Sequence, residues 1–217
     1  MAVQDYAKAI YGLAERADGK VSTTALAERL GVTPASASAM VRRLDERGLV
    51  AHVPYRGVSL TPAGVKLALE VLRRHRLLET FLVQELGMEW DRVHAEAEVL
   101  EHVLSAELET LIAARLGDPR RDPHGDPIPS AELELDEAAT VSLAELPTGS
   151  SGTFVRVSDS DPEILRYLAE RGIRPGARLE ITERQPFGGP LYVRAGSARH
   201  ALGGTLADAM RIGEVER

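Results

Sequence analysis

Nine residues constrain this chain more than any other stretch: His94-Ala95-Glu96-Ala97-Glu98-Val99-Leu100-Glu101-His102. They lie in a long helical pattern, and on a helix residues three and four apart share a face. That spacing points Glu98, Glu101 and His102 the same way, with His94 one turn before Glu98. Two carboxylates and an imidazole within about 6 Å of one another repel or shift their pKa values unless a cation joins them. Oxygen and nitrogen ligands without sulfur suit a hard or borderline divalent metal such as Mn(II) or Fe(II). Taken alone, the stretch reads equally well as a solvated helix face. A second pair upstream, His75 and Glu79 at i,i+4, weighs against coincidence.

The chain has no cysteine, which excludes disulfides, thiolate metal sites and cysteine nucleophiles. Its 217 residues, 44% apolar and 27% charged, suffice for two or three small domains. No signal-type or membrane-length apolar run is present, so the expected place is the cytoplasm, with no membrane partner. A net charge of −7 at first argues against nucleic acid. The distribution reverses that argument. Residues 1–60 carry eight Lys/Arg against six Asp/Glu, whereas residues 61–140 carry eight against seventeen. The acidic excess sits with the ligand candidates, and the N-terminal third is free to approach phosphate.

In chain order, Tyr6, Ile10, Leu13 and Ala17 mark a first helix over 4–17, with Asp5 in its first turn and Asp18-Gly19 ending it. Thr23 or Thr24 is expected to cap a short helix from Ala25 to Leu30, closed by Gly31. Thr33 then caps a third helix with Pro34 at its first position, running to about Arg47. Two short helices joined by Gly31-Val32-Thr33 form a helix-turn-helix pattern. Small residues at the start of the second, Pro34-Ala35-Ser36-Ala37-Ser38-Ala39, let it enter a major groove closely. Thr33, Ser36 and Ser38 can bond phosphate or base edges, Ala35 and Ala39 can touch thymine methyls, and Arg42 and Arg43 follow. Two strand-like runs within Leu49 to Leu60 surround Tyr55-Arg56-Gly57, a hairpin wing with Arg56 at its tip as a backbone or minor-groove contact.

Thr61-Pro62 starts a long helix to about Gly87 that carries His75 and Glu79. Trp90, Val93, Ala97, Leu100 and Leu104 mark the inner stripe of the next helix, and Leu108, Leu111, Ile112 and Leu116 that of a third. So few helices cannot bury all of this among themselves, which implies a helical dimer interface. A turn-rich loop from Gly117 to Pro129 and an acidic linker from Ser130 to about Ala139 follow. Beyond Thr140 the pattern is five short strands and one helix, the latter starting at Asp161-Pro162; this suggests a small SH3-like barrel. The fold class is mainly α with a small β domain. The expected domains are a winged helix-turn-helix over 1–63, a helical metal-binding and dimerisation domain with linker over 64–139, and a barrel over 140–217.

With a winged helix-turn-helix, the Glu98-Glu101-His102 cluster and a terminal barrel in this order, the chain resembles the diphtheria-toxin-repressor/manganese-repressor family of metal-dependent regulators, whose barrel is of the FeoA type. The resemblance implies a homodimer with divalent metal as corepressor, binding a palindromic double-stranded DNA operator. By position, the primary metal site resembles Asp5, Glu98, Glu101 and His102. Iron-sensing relatives place Met and Cys at the first two positions, so both departures follow the manganese-sensing branch. Part of that branch has Glu where this chain has Lys8, so a two-metal primary cluster is not expected. The secondary site resembles His75, Glu79 and His94, with Asp122, His124 and Asp161 as further ligands.

The leading expectation is a repressor with Mn(II), or else Fe(II), as corepressor, acting on metal-homeostasis genes such as uptake transporters, and not an enzyme. Two other classes compete with it. A metal-dependent hydrolase would need an open coordination position and a nucleophile or base motif, and none accompanies these ligands. A metal-independent winged-helix regulator would leave the ligands as solvated charges.

Overall fold

In this computed structural model, residues 2–15, 20–53, 57–159 and 161–216 are described. The proposed wing-tip contact Arg56 and the expected helix end at Asp18-Gly19 lie outside them. The chain forms two compact units. The first comprises residues 1–75, 100–104 and 129–134; the second comprises 76–99, 105–128 and 135–217.

The first unit begins with α1 (Ala2–Ala14), α2 (Thr23–Leu30) and α3 (Pro34–Glu46). Ser22, rather than either threonine, caps α2: its backbone is extended, and its Oγ accepts from Ala25 N at 3.1 Å. Thr23 and Thr24 are already helical, so neither can act as the cap. Gly31 ends α2 in the left-handed region, and Thr33 Oγ1 caps α3 by accepting from Ser36 N. β1 (Val50–Val53) and β2 (Gly57–Leu60) pair antiparallel, and Val21 adds a bridge to Val58. Tyr6, Ile10, Leu26, Val41, Leu44, Val50 and Val58 close the core between helices and hairpin.

The long helix α4 (Pro62–Gln84) starts against this hairpin. Thr61 N donates to Leu49 O, and Thr61 Oγ1 donates to Gly48 O. A Cβ at Gly64 would lie 1.9 Å from Leu49 O, so only glycine permits this close approach.

The second unit contains the C-terminal part of α4, most of α5 (Val93–Leu100), α6 (Ala106–Arg115) and a six-stranded antiparallel sheet. The strands are β3 (Val141–Ser142), β4 (Ser151–Val157), β5 (Arg178–Arg184), β6 (Leu191–Ala195), β7 (Ala198–Leu202) and β8 (Met210–Glu216), in the order β3-β8-β4-β5-β6-β7. Five correspond to the expected runs. The two-residue β3 and the helix α8 (Gly204–Ala209) are too short to leave a periodic signal. α7 (Pro162–Glu170) lays Leu165 and Leu168 on a core with Phe154, Leu179, Ile181, Val193 and Ile212. Trp90 joins this core and donates its Nε1–H to Leu165 O at 3.2 Å.

α5 is shorter than its apolar pattern implies. The N–H groups of Val103 and Leu104 both turn back to Leu100 O, and Ser105 caps α6. Glu101 and His102 therefore stand in the turn after α5 rather than on it. In α6 only Ile112 and Ala113 are buried, whereas Leu108 and Leu111 from the expected inner stripe are exposed.

Gly64→Ala should destabilise the first unit by about 1–3 kcal/mol, since Leu49 O is backbone and cannot swing aside. Chemical denaturation checks this, and an unchanged midpoint would refute the close-approach argument.

Candidate metal centres

Among the described residues, acidic and imidazole side chains gather within each unit. In the first unit α1 carries Asp5 towards the turn after α5, where His102 Nε2 lies 2.8 Å from Asp5 Oδ1 and 3.7 Å from Glu101 Oε1. Asp5, Glu101 and His102 each offer a ligand atom within 4.8 Å of the others. His102 Nδ1 is 2.9 Å from Gln4 Oε1. An amide oxygen only accepts, so Nδ1 carries the hydrogen. With Nδ1 committed to Gln4, Nε2 is the ring nitrogen that faces the two carboxylates, and a cation there would satisfy all three.

Glu101 is fully buried, and its charge is met from two sides. Lys8 Nζ donates to Oε1 at 2.7 Å and to Oε2 at 2.8 Å, while His75 Nδ1 lies 2.5 Å from Oε2. His75 is thereby in contact with Glu101 of the Asp5–Glu101–His102 group. Glu98 sits 3.7 Å from His94 Nε2.

The second cluster is built on Glu79, fully buried on α4. His94 Nδ1 is 3.3 Å from Glu79 Oε1 and 2.9 Å from Asp159 Oδ2. From the other side come Asp122 and His124, with His124 Nδ1 3.6 Å from Glu79 Oε2 and 4.0 Å from Asp122 Oδ1. His124 Nε2 is 2.8 Å from Trp90 O, and a carbonyl fixes the hydrogen on that nitrogen. Trp90 stacks on the same ring at 5.7 Å between centroids. His124 Nδ1 is left buried, with no hydrogen-bond partner among the described residues, facing two carboxylates. That donor set fits a divalent metal, and the hydrogen bond to Trp90 O orients the ring for it.

The loop bearing Asp122 and His124 is fastened by backbone. Val157 N donates to His124 O, Arg76 reaches Pro127 O, and a Cβ at Gly125 would fall 1.8 Å from Val155 O. Asp161 stands apart as the N-cap of α7, its Oδ1 accepting from Glu163 N. Asp159, two residues earlier, is the carboxylate at His94, and sequence reasoning missed it. The signal was available: of the two aspartates before Pro162, the one adjacent to proline is committed to capping.

Charges in the second cluster shift one another. Hydrogen bonds to Asp159 and Glu79 outweigh burial and raise the His94 pKa to about 10. Burial opposes the charge on His124, but Glu79 and Asp122 prevail and raise its pKa to about 9. Burial, then Glu79, lift the Asp122 carboxyl well above its usual range. Burial also opposes the Asp159 charge, yet His94 keeps its pKa below the usual value.

In α3 the candidate DNA contacts Thr33, Ala35, Ser36, Ala39, Arg42 and Arg43 are exposed, and Ser38 is half-buried. The hydroxyls of Thr33 and Ser36 already pair at 2.9 Å.

Residues 1–58 match the N-terminal DNA binding domain of the iron dependent repressors, and residues 61–130 match their metal binding and dimerisation domain. Residues 141–213 match the FeoA domain. The iron-dependent repressor IdeR of Mycobacterium tuberculosis is 34% identical over 223 residues, covering 97% of this chain and 96% of its own. The chain belongs to the iron-dependent repressor family. The diphtheria toxin repressor of Corynebacterium glutamicum is 34% identical over 222 residues, covering 97% of this chain and 95% of its own. A solved manganese-dependent transcriptional repressor in complex with manganese is 47% identical, with a TM-score of 0.91, over 97% of this chain and 99% of that one.

As a member of this family, the protein is a dimeric, metal-dependent transcriptional repressor that binds DNA. Its N-terminal domain is a DNA-binding helix-turn-helix domain, its dimerisation domain is helical, and its C-terminal domain is SH3-like. Leu86, Leu108 and Leu111, exposed by 64%, 48% and 59%, give the dimerisation domain an apolar face. No helix among the described residues is long and apolar enough to cross a membrane.

The pKa shifts predict how pH acts on the metal-free protein. A raised histidine pKa stabilises fully below the unfolded value of 6.5, and that contribution is lost as pH rises through about 9 to 10. The raised Asp122 pKa acts in the same sense, because ionising the buried carboxyl costs stability. The lowered Asp159 pKa contributes above the usual carboxylate range and so leaves this window unchanged. Metal-free Tm should fall steadily between pH 6.5 and 10, and His94→Gln should flatten the fall. A level profile for the unaltered protein would count against the assigned charge states.

Proposed function

We propose that this repressor responds to Mn(II), loading a first metal site at Asp5, Glu101 and His102 and a second at Glu79, His94, Asp122, His124 and Asp159. The observation that carries the reading is the chemistry of the two donor sets. Each is built from carboxylate oxygen and imidazole nitrogen, in a chain without a thiolate. Hard carboxylates suit Mn(II), while the softer sulfur ligands favour later metals. Glu98 and His75 remain candidate ligands at the edges of these sets. Asp161 is the weakest candidate, since its oxygen is committed to the cap of α7.

When bound, the metal supplies a divalent charge that lets buried carboxylates and neutral imidazoles converge. The protein's own residues do the rest. Asp5 brings α1 to the turn after α5. Gln4 holds the His102 hydrogen on Nδ1, which leaves Nε2 to face Asp5. α1 packs with α2 and α3 through Tyr6 and Ile10, so fixing Asp5 fixes the helix that reads DNA. Half-sites one helical turn apart, about 34 Å, tolerate little error in that placement. Ala35, Ser38 and Ala39 are proposed to meet base edges, while Arg42, Arg43 and Arg56 meet phosphate. We place the protein in the cytoplasm, regulating metal-homeostasis genes such as those for metal uptake, without catalytic activity of its own.

Affinity for operator DNA, measured by fluorescence anisotropy, should rise five- to 150-fold on adding Mn(II) after EDTA treatment, the span of common coupling energies. Glu101→Gln should abolish most of that response and Glu79→Gln only part of it. Equal affinity with EDTA and with Mn(II) would reject the reading. A second measurement tests ligand type as the source of metal preference. Asp5→Met should raise the Fe(II) and Co(II) response relative to Mn(II), read anaerobically at matched free metal. An unchanged Mn/Fe ratio would show that preference arises elsewhere.

A further inference from the structure

One cation is already present in the first cluster, and it belongs to the chain. Lys8 Nζ donates to both oxygens of Glu101, at 2.7 and 2.8 Å, and lies 3.5 Å from His75 Nδ1. The Glu101 side chain has no exposure and that of Lys8 has 16%, so this is an interior ion pair rather than a surface one. Asp5 and Lys8, three residues apart, share one face of α1, so the ammonium and the Asp5–His102 pair approach Glu101 from neighbouring directions. Oε1 is the shared atom, accepting from Lys8 at 2.7 Å and facing His102 Nε2 at 3.7 Å.

We propose that Lys8 is a resident counter-cation of the first cluster that competes with the incoming metal for Glu101 and so sets the metal concentration at which the repressor loads. The inference rests on reading Asp5, Glu101 and His102 as a metal site. Without metal, a buried and unpaired Glu101 would be costly, and Lys8 supplies the opposite charge that holds it in place. With metal, Oε1 must serve two cations. A unit charge about 4–5 Å from a dication weakens its binding more than tenfold even at the dielectric constant of water. Lys8 therefore supports the metal-free fold and opposes loading. A purely structural lysine would do only the first.

Mn(II) binding to the full-length dimer, without DNA, would be followed by the electron paramagnetic resonance of free Mn(II) for the unaltered protein, Lys8→Gln and Lys8→Arg. Lys8→Gln keeps a donor near Glu101 but removes the charge. It should tighten one class of site tenfold or more, leave the other class unchanged, lower the metal-free Tm and widen the gap to the Mn-saturated Tm. Lys8→Arg should leave both affinities within about threefold of the original. Unchanged or weaker binding by Lys8→Gln would overturn the proposal. Should Lys8→Gln fail to fold without metal, the unaltered protein still decides. The 15Nζ resonance of Lys8 should move when diamagnetic Zn(II) fills the first cluster, and a stationary resonance would overturn it. Failure of the unaltered protein to bind Mn(II) at all would remove the metal reading itself, an outcome distinct from binding that ignores Lys8.

Discussion

The arrangement depends on two glutamates that water never reaches. Glu79 and Glu101 are 0% and 1% exposed, one in each unit. Taking a carboxylate out of water is costly unless opposite charge and hydrogen bonds replace the hydration shell. Around Glu101 the replacement is Lys8 and His75, with His102 behind them. Around Glu79 it is His94 and His124, which in turn draw in Asp159 and Asp122. In each case acid and imidazole solve the burial problem together, and the solution leaves several donor atoms converging on a space between them.

The two clusters reach that state differently. Glu101 has a permanent cation beside it, so its charge is matched whether or not a metal is present. Glu79 is faced by two histidines. Its balance comes from histidines whose raised pKa values reflect the surrounding carboxylates. A metal entering the second cluster must therefore displace protons, whereas one entering the first must share oxygen with an ammonium. The ring of His124 is prepared for either occupant, since Trp90 O holds its other nitrogen in the protonated form.

Much of this was legible in the sequence, and the parts that were not have physical reasons. Apolar periodicity located α1 and α4, the Thr33-Pro34 cap located α3, and Gly and Pro punctuation set off five strands of the barrel. The ends of elements were less legible. Ser22, Thr23 and Thr24 are all good caps by composition, and only the backbone of Ser22 distinguishes it. The face of α5 misled more seriously. Glu98, Glu101 and His102 share a face only while the helix continues, and it stops at Leu100. Glu98, the last of the three still on α5, lies near His94, its i,i−4 neighbour. Spacing could not pair Asp159 with His94, 65 residues away, and only the capping role of Asp161 set the two aspartates apart. The Lys8 contact was likewise hidden, being made across 93 residues.

α1 is where these charges can act on DNA recognition. Its two faces carry different duties. Tyr6, Ala9 and Ile10 are buried in the core shared with α2, α3 and the hairpin. Asp5 and Lys8, on the adjoining face, hold the cluster residues His102 and Glu101. A helix of 13 residues packed on such a core moves as one body, because shifting it separately would open cavities beneath Tyr6 and Ile10. A change in the charge seen by Asp5 and Lys8 is therefore passed to α3 as a change in placement rather than absorbed by a side-chain rotation. The exposed start of α3, with its small side chains, can then approach a groove closely, and it must be placed correctly to do so. Residues this small leave little reach to compensate for a misplaced backbone, so specificity there depends on where the helix is held. On the proposed metal reading, this is the route by which the cluster carboxylates would control DNA binding.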